Sequence, residues 1–387
     1  MKTLHLATTI ITAASLGICS AQSKQESAEK PTSSKSTSSE KSKSRQLAEE
    51  IGSLTNATVA LKITKDVKQV VYFAKSISNE EQAKLKQLVP NLQIVVGLSN
   101  KDALARAETA HGVDINYATP EFLKKASNLA WVQAKSAGVD RYLKDGSPIK
   151  TGDIVLTNQR AIHGPAIAEH AMAMLLSLTR NLHYYRDKQQ EEEWARGARD
   201  LTHVALQGKT MLVVGLGGIG SEIAERGHAF GMRVIGTRRS DKPSADYIEK
   251  VGKPADLLKM LPEADVVALA VPLTEETKGL IDAEAFKAMK QGSYLINIAR
   301  GPVVDTDALL SALKSKKLAG AGLDVTDPEP LTKGHALWSA PNVVITPHMA
   351  SRSKVTDTRR AAIYRENLRR FASGEPLLNV VNKELGY

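Results

Sequence analysis

The ten residues Met211–Gly220, MLVVGLGGIG, constrain this chain more than any other stretch. The apolar run Met211–Val214 reads as a strand buried on both faces. It feeds directly into Gly215-x-Gly217-x-x-Gly220, with Gly218 and Ile219 completing the turn. Glu222–Phe230 then carries a helical pattern, and Arg233–Gly236 reads as a second strand. Each glycine has its own physical reason. The first permits a sharp turn, the second lets a pyrophosphate approach the backbone, and the third lets helix pack on strand. The helix start offers unpaired N–H groups and a positive dipole end to phosphates. A GxGxxG alone is weak evidence, but between a strand and a helix it predicts a dinucleotide site.

Further buried strands are predicted at Ala264–Val271, Ser293–Ile298, Ala319–Val325 and Asn342–Thr346. Ligands of open parallel sheets bind outside the carboxyl ends of the strands. Pro272, Thr274, Ala299 and Asp324 fall at those ends and are expected to line the cofactor. Arg300, Glu329 and His348 fall just past three successive ends. Taken singly they read equally well as a salt-bridged arginine, a loop carboxylate and a helix-capping histidine. Together, beside a dinucleotide fold, they make an active-site constellation. A guanidinium grips a carboxylate bidentately, and a histidine gives or takes a proton at an oxygen. A carboxylate beside an imidazole orients it and favours its protonated form.

The end of the second strand decides the coenzyme. An NAD site places an acidic residue about 20 residues beyond the first glycine for the ribose hydroxyls. Here stands Thr237-Arg238-Arg239-Ser240, with Asp241 slightly late for that role. Two guanidiniums and hydroxyls suit a 2′-phosphate, so NADPH is expected, with NAD as the second choice.

Gly215–Gly220, Asn297–Gly301, the segment Gly322–Pro330 (GLDVTDPEP) and Thr346-Pro347-His348 together resemble the D-2-hydroxyacid dehydrogenase family. The resemblance runs from about Ala57 to the C-terminus. It implies that Arg300 binds the substrate carboxylate, aided by backbone N–H groups of the Ser136–Val139 turn at Ala137 and Gly138. It implies that His348 is the acid/base and Glu329 its partner. The reaction would be reduction of a small 2-oxo acid to a D-2-hydroxy acid, with hydride from a nicotinamide. Within the family the chain is most similar to the glyoxylate/hydroxypyruvate reductases, and the helix after Pro165 implies a homodimer. One departure is Thr326, where an aromatic residue is frequent. Two other readings stay open. Phosphite oxidation on the same scaffold is compatible with the triad, whereas formate oxidation pairs the histidine with glutamine and so conflicts with Glu329. A non-catalytic dinucleotide sensor would have no need of the proton donor.

The expected fold is α/β with two doubly wound parallel-sheet domains. A Rossmann-type coenzyme domain, 159–347, is inserted into a flavodoxin-like substrate domain, 46–158, completed by 348–387. In the substrate domain Val70–Phe73, Leu92–Val96 and Leu129–Gln133 read as strands. Asn79–Leu88, Lys101–Ala107 and Thr119–Ala126 read as helices, the last capped by Thr119 with Pro120 in its first turn. Pro165–Leu182, apolar on most sides, predicts one buried or interfacial helix. Hinges are expected near Asn158–Pro165 and His348–Ser353.

The net charge of +10 suits an anionic ligand. Aromatic residues are only 4% and no basic stripe is interleaved with them, which argues against nucleic acid. The one basic cluster, Arg359, Arg360, Arg365, Arg369 and Arg370, is expected to be a solvated helix face. A single cysteine, Cys19, rules out an intrachain disulfide and a cysteine-based metal site. Residues 1–21 resemble an export signal, and 22–45, rich in Ser and Lys, cannot bury a core. Cys19 follows Leu16-Gly17-Ile18, an imperfect lipoprotein box in which Ile18 stands where a small residue is expected. Export is therefore expected, with cleavage near Ala21 or a lipid anchor at Cys19 and no membrane span in the mature chain. Cytoplasmic residence is the alternative, since NADPH is recycled inside the cell.

Overall fold

The computed structural model describes residues 43, 45–51, 69–197 and 201–386. The expected leader, Cys19 and nearly all of the linker lie outside the described residues. Five parallel strands, β1 Val70–Ala74, β2 Leu92–Val96, β3 Gly112–Asp114, β4 Trp131–Gln133 and β5 Val155–Thr157, form a sheet ordered β2-β1-β3-β4-β5. Seven more form a second parallel sheet. They are β6 Thr210–Val214, β7 Arg233–Thr237, β8 Ile248–Gly252, β9 Val266–Leu269, β10 Ser293–Asn297, β11 Leu318–Leu323 and β12 Val343–Ile345, ordered β12-β11-β10-β9-β6-β7-β8. The first order is the flavodoxin-like winding, and the second is the Rossmann winding extended by one strand. Both expected doubly wound sheets are present.

The long apolar runs become the central strands because both faces of a parallel sheet are covered by helices. All five residues of β6 and of β10 are buried. Three strands escape the sequence pattern. β3 and β5 have three residues each, too few to show a period, and β8 is an edge strand with three exposed residues in the middle.

Two helices differ from expectation. The dinucleotide helix spans Gly218–Ala229, so it starts within the glycine turn rather than at Glu222. The segment after Pro165 is two helices, Gly164–Thr179 and Leu182–Gln190, because Asn181 adopts a left-handed φ of 55° and ends the first. Thr119 caps Pro120–Lys125 as expected, its side chain accepting from the Phe122 N–H.

Helix Gly164–Thr179 carries the chain to the second sheet, and Lys354–Ser373 returns it to the first. There Leu368 and Phe371 pack with Tyr72 and Trp131, the Trp131 and Phe371 rings 4.9 Å apart. Residues 45–51 are helical, and Ala48 and Ile51 bury themselves against Ile162, Ala362, Ile363 and Leu378. Three of the five arginines expected on a solvated face, Arg365, Arg369 and Arg370, are partly buried in ion pairs. Arg365 pairs with Glu81, Arg369 with Glu366 and Glu375, and Arg370 with Glu366. Burial alone would raise the Glu366 carboxyl, but its bonds from Arg369 and Arg370 outweigh that and hold it low. Arg360 pairs with Asp357.

Candidate active site

The glycine turn lies at the switch point of the larger sheet, where β6 is flanked by β7 and β9. Gly215 has φ 101°, which an L side chain rarely adopts. A Cβ at Gly217 would meet nothing within 4 Å, whereas one at Gly220 would overlap the Gly215 carbonyl oxygen. Turn, open approach and close helix packing are therefore distributed over the three glycines as their spacing implies. The amides of Gly215 and Leu216 donate to the Thr237 carbonyl, which joins the turn to the end of β7. On the other side Gly215 packs against Ala270 and Val271, which lead into Pro272 and Thr274. The Thr274 loop is closed by its own backbone N–H donating to Thr277 Oγ1 at 2.8 Å.

Past β7, Thr237 is buried, while Arg238 Nη1 donates to the Lys242 and Pro243 carbonyls at 2.6 and 3.1 Å. Its guanidinium is thus held by its own loop. Arg239 lies 3.5 Å from Glu276, and Asp241 pairs with Lys253. Lys253 is a cation of this loop that the sequence reading missed, because it arrives from β8, a strand it did not predict. An open glycine cradle and a basic loop at the next strand end fit an NADP-type dinucleotide.

Strands β10, β11 and β12 are adjacent, so the loops carrying Arg300, Glu329 and His348 emerge side by side, about 4.8 Å per strand step. Asn297, buried at the end of β10, staples its loop: Nδ2 donates to the Arg300 carbonyl and Oδ1 accepts from the Ala299 N–H. Arg300 Nη1 donates to the Ala299 carbonyl at 2.8 Å, and its Nε lies 3.7 Å from Asp140. A Cβ at Gly138 would overlap Arg300 Nη2, so the Ser136–Val139 turn lies directly against the guanidinium. That turn belongs to the smaller sheet and Arg300 to the larger one. The fold brings them together across the cleft.

His348 Nδ1 lies 2.6 Å from Glu329 Oε1, with the two side chains 44% and 42% exposed. Nδ1 donating to the carboxylate leaves Nε2 for proton transfer. Asp324, at the end of β11, is 3% exposed and organises this loop. Its carboxylate accepts from Thr346 Oγ1 at 2.7 Å and from the Met349 and Ala350 N–H groups at 2.9 and 3.1 Å. Its carbonyl accepts from the His348 N–H at 2.8 Å. Besides the expected cofactor contact, Asp324 therefore has a positioning task that the sequence reading did not assign. His170, on the helix Gly164–Thr179, adds a contact to Thr346 Oγ1 at 2.8 Å, also missed because it comes from a distant element. Among the described residues no helix is long and apolar enough to cross a membrane, and no group of His, Cys, Asp or Glu is arranged to hold a metal ion.

Known proteins resemble this chain over much of its length. Residues 172–350 match the family described as D-isomer specific 2-hydroxyacid dehydrogenase, NAD binding domain. The glyoxylate reductase of Aeropyrum pernix is 37% identical over 275 residues, covering 68% of this chain and 80% of that protein. A D-isomer specific 2-hydroxyacid dehydrogenase family protein from Aeromonas salmonicida superposes with a TM-score of 0.70 at 35% identity, covering 82% of this chain and 99% of its own. The NADPH-dependent glyoxylate/hydroxypyruvate reductase of Sinorhizobium meliloti, solved with NADP and sulfate, has a TM-score of 0.67 at 26% identity, covering 82% and 100%.

Proposed function

The chain belongs to the D-isomer specific 2-hydroxyacid dehydrogenase family, whose members reduce 2-oxo acids with NAD(P)H, and from that premise we propose a glyoxylate- or hydroxypyruvate-like substrate and NADPH as the preferred coenzyme. The observation that carries the reading is the pair of contacts at the cleft: Arg300 seated on the Gly138 turn, and His348 Nδ1 2.6 Å from Glu329. Arg300 and the N–H groups of Ala137 and Gly138 hold the substrate carboxylate, which turns the adjacent carbonyl toward His348. Glu329 fixes the imidazole so that Nε2 donates its proton to the carbonyl oxygen as negative charge develops there. The Gly215–Gly220 turn holds the pyrophosphate, Pro272, Thr274 and Ala299 line the nicotinamide half, and Thr237, Arg238 and Arg239 take the 2′-phosphate. When bound, NADPH supplies the hydride that adds to the carbonyl carbon.

Steady-state turnover of a panel of 2-oxo acids with NADPH and NADH tests the reading. Glyoxylate and hydroxypyruvate should give the highest kcat/KM, with NADPH ahead of NADH. Turnover of none of them, or of phosphite alone, would overturn it.

The helix Gly164–Thr179 and the segment after it serve a homodimer in this reading. Leu182 is 54% exposed and Trp194 91% exposed, and the partner would cover them. The leader is used for export, either by cleavage near Ala21 or by lipidation at Cys19, which sets the catalytic body beyond the inner membrane on its linker. Cell fractionation with mass spectrometry of the mature N-terminus decides this. An intact Met1 on cytosolic protein rejects export.

A further inference from the structure

Asp114 ends β3, is 0% exposed, and belongs to none of the motifs that mark the cleft. Four donors converge on its carboxylate. Oδ1 accepts from the phenols of Tyr72 at 2.8 Å and Tyr364 at 3.2 Å. Oδ2 accepts from the Lys75 backbone N–H at 2.8 Å and pairs with Lys135 Nζ at 2.8 Å. Each oxygen thus has two partners, which satisfies the acceptor capacity of an ionised carboxylate. Burial, and then the charge of Asp114, push both phenols well above their ordinary range, so they remain donors.

The donors come from different parts of the frame around the cleft. Tyr72 lies in β1 and Lys75 at its end, while Tyr364 lies on the returning helix that follows the His348 loop. Lys135 immediately precedes the Ser136–Val139 turn. The first half of that turn is also tied to the crossover: Asn158 Nδ2 donates to the Ala137 carbonyl at 2.8 Å, and the Gln159 N–H donates to the Ser136 carbonyl at 3.0 Å. Inside the turn, Ser136 Oγ donates to the Gly138 carbonyl at 2.7 Å. Lys135 is the residue that leads into the turn, and its ammonium anchors that entry to the buried carboxylate at 2.8 Å. A buried carboxylate needs opposite charge and good hydrogen bonds to be tolerated, and Lys135 supplies the charge.

We propose that Asp114 and Lys135 are positioning residues whose ion pair holds the Ser136–Val139 turn where it and Arg300 receive the substrate carboxylate. The proposal rests on the reading of that turn as the carboxylate site. The turn meets the substrate carboxylate and not the reacting carbonyl, so its displacement weakens substrate binding rather than the proton transfer.

The full-length enzyme and its Lys135→Met, Asp114→Asn and Lys135→Arg variants test this, with oxalate as a non-reacting dicarboxylate probe. Lys135→Met and Asp114→Asn should raise the glyoxylate KM and the oxalate inhibition constant about tenfold or more. The NADPH Kd should stay within twofold of wild type and kcat within threefold, and Lys135→Arg should restore most of the lost affinity. A merely structural pair would lower Tm and leave KM and oxalate inhibition unchanged in the surviving enzyme, which overturns the proposal. Lys135→Met keeps the test open if Asp114→Asn does not fold. Wild-type enzyme that neither turns over 2-oxo acids nor responds to oxalate removes the functional reading and this proposal with it. Normal wild-type enzyme with an unaffected Lys135→Met variant removes this proposal alone.

Discussion

His348 holds a backbone φ of 52°, a left-handed conformation uncommon in residues other than glycine. Conformations of this kind persist where neighbouring bonds over-determine them. Here the surrounding bonds to Asp324 do so, from both its carboxylate and its carbonyl. The imidazole is thereby aimed by a buried residue and oriented by Glu329. His348→Ala should lower kcat by about 10²–10⁴-fold, the usual contribution of proton delivery, with coenzyme affinity intact. Near-native turnover in that variant would sink the mechanism. Gly138→Ala tests the other half of the site. Its methyl group would occupy the place of Arg300 Nη2. The 2-oxo acid KM should rise about tenfold or more through the displaced guanidinium, and NADPH binding should not move. Equal losses in both affinities would mean that the turn supports the whole cleft rather than the carboxylate.

Among the elements, the loop after β7 decides the coenzyme. Arg238 is already oriented by the Lys242 and Pro243 carbonyls, so little side-chain freedom is lost when it meets a phosphate. One charge-assisted contact is worth about 1.5–3 kcal/mol, or about one to two decades in affinity. Arg238→Asp should therefore reduce kcat/KM for NADPH by about that factor and spare NADH. A native preference for NADH would show the assignment to be wrong. The start of helix Gly164–Thr179 carries a different signature. His163 is 6% exposed. Burial first, and the Arg360 guanidinium second, hold its imidazole down at about 4 against an ordinary 6.5. The unfolded chain takes up this proton more readily than the folded one. The contribution to stability is therefore complete above pH 6.5 and disappears as pH falls toward 4. The full difference is about 3 kcal/mol. Urea unfolding at pH 7 and pH 4.5 should show the wild type losing about 2–3 kcal/mol more than His163→Gln. Parallel losses would place the acid sensitivity elsewhere.

At the scale of the whole molecule, the site exists only because two sheets face one cleft. The two connections between them, 158–164 and 348–353, each carry polar anchors. Asn379 Nδ2 donates to the Asn158 and Arg160 carbonyls, and the Asn158 N–H donates back to the Asn379 carbonyl. The helical residues 45–51 pack beside the first connection and on the returning helix, Ala48 and Ile51 clustering with Ile162, Ala362 and Ile363. Closure about these connections would exclude water from the reacting carbonyl. The proposed homodimer predicts that Trp194 becomes covered. Sedimentation should give twice the chain mass for the wild type, and Trp194→Arg should shift the equilibrium toward the monomer. A wild-type monomer at micromolar concentration removes the dimer.

Six of the seven strands of the larger sheet, the dinucleotide turn and the three polar strand ends are legible in the chain itself. Those features are local: a strand buried on both faces must be a continuous apolar run, and a glycine turn of fixed spacing must precede its helix. Asn297–Gly301 and Gly322–Pro330 announced Arg300 and Glu329 for the same reason, since each lies a few residues beyond such a run. The remaining features depend on neighbours far apart in the chain. Three-residue strands β3 and β5 take their place from the strands beside them, not from their own pattern. The arginines of the returning helix looked solvated until Glu81, Glu366 and Glu375 met them. Asp114 had no motif at all. Its significance comes from Tyr72, Lys135 and Tyr364 arriving from three other elements, and a buried charge acquires meaning only when its partners are in place.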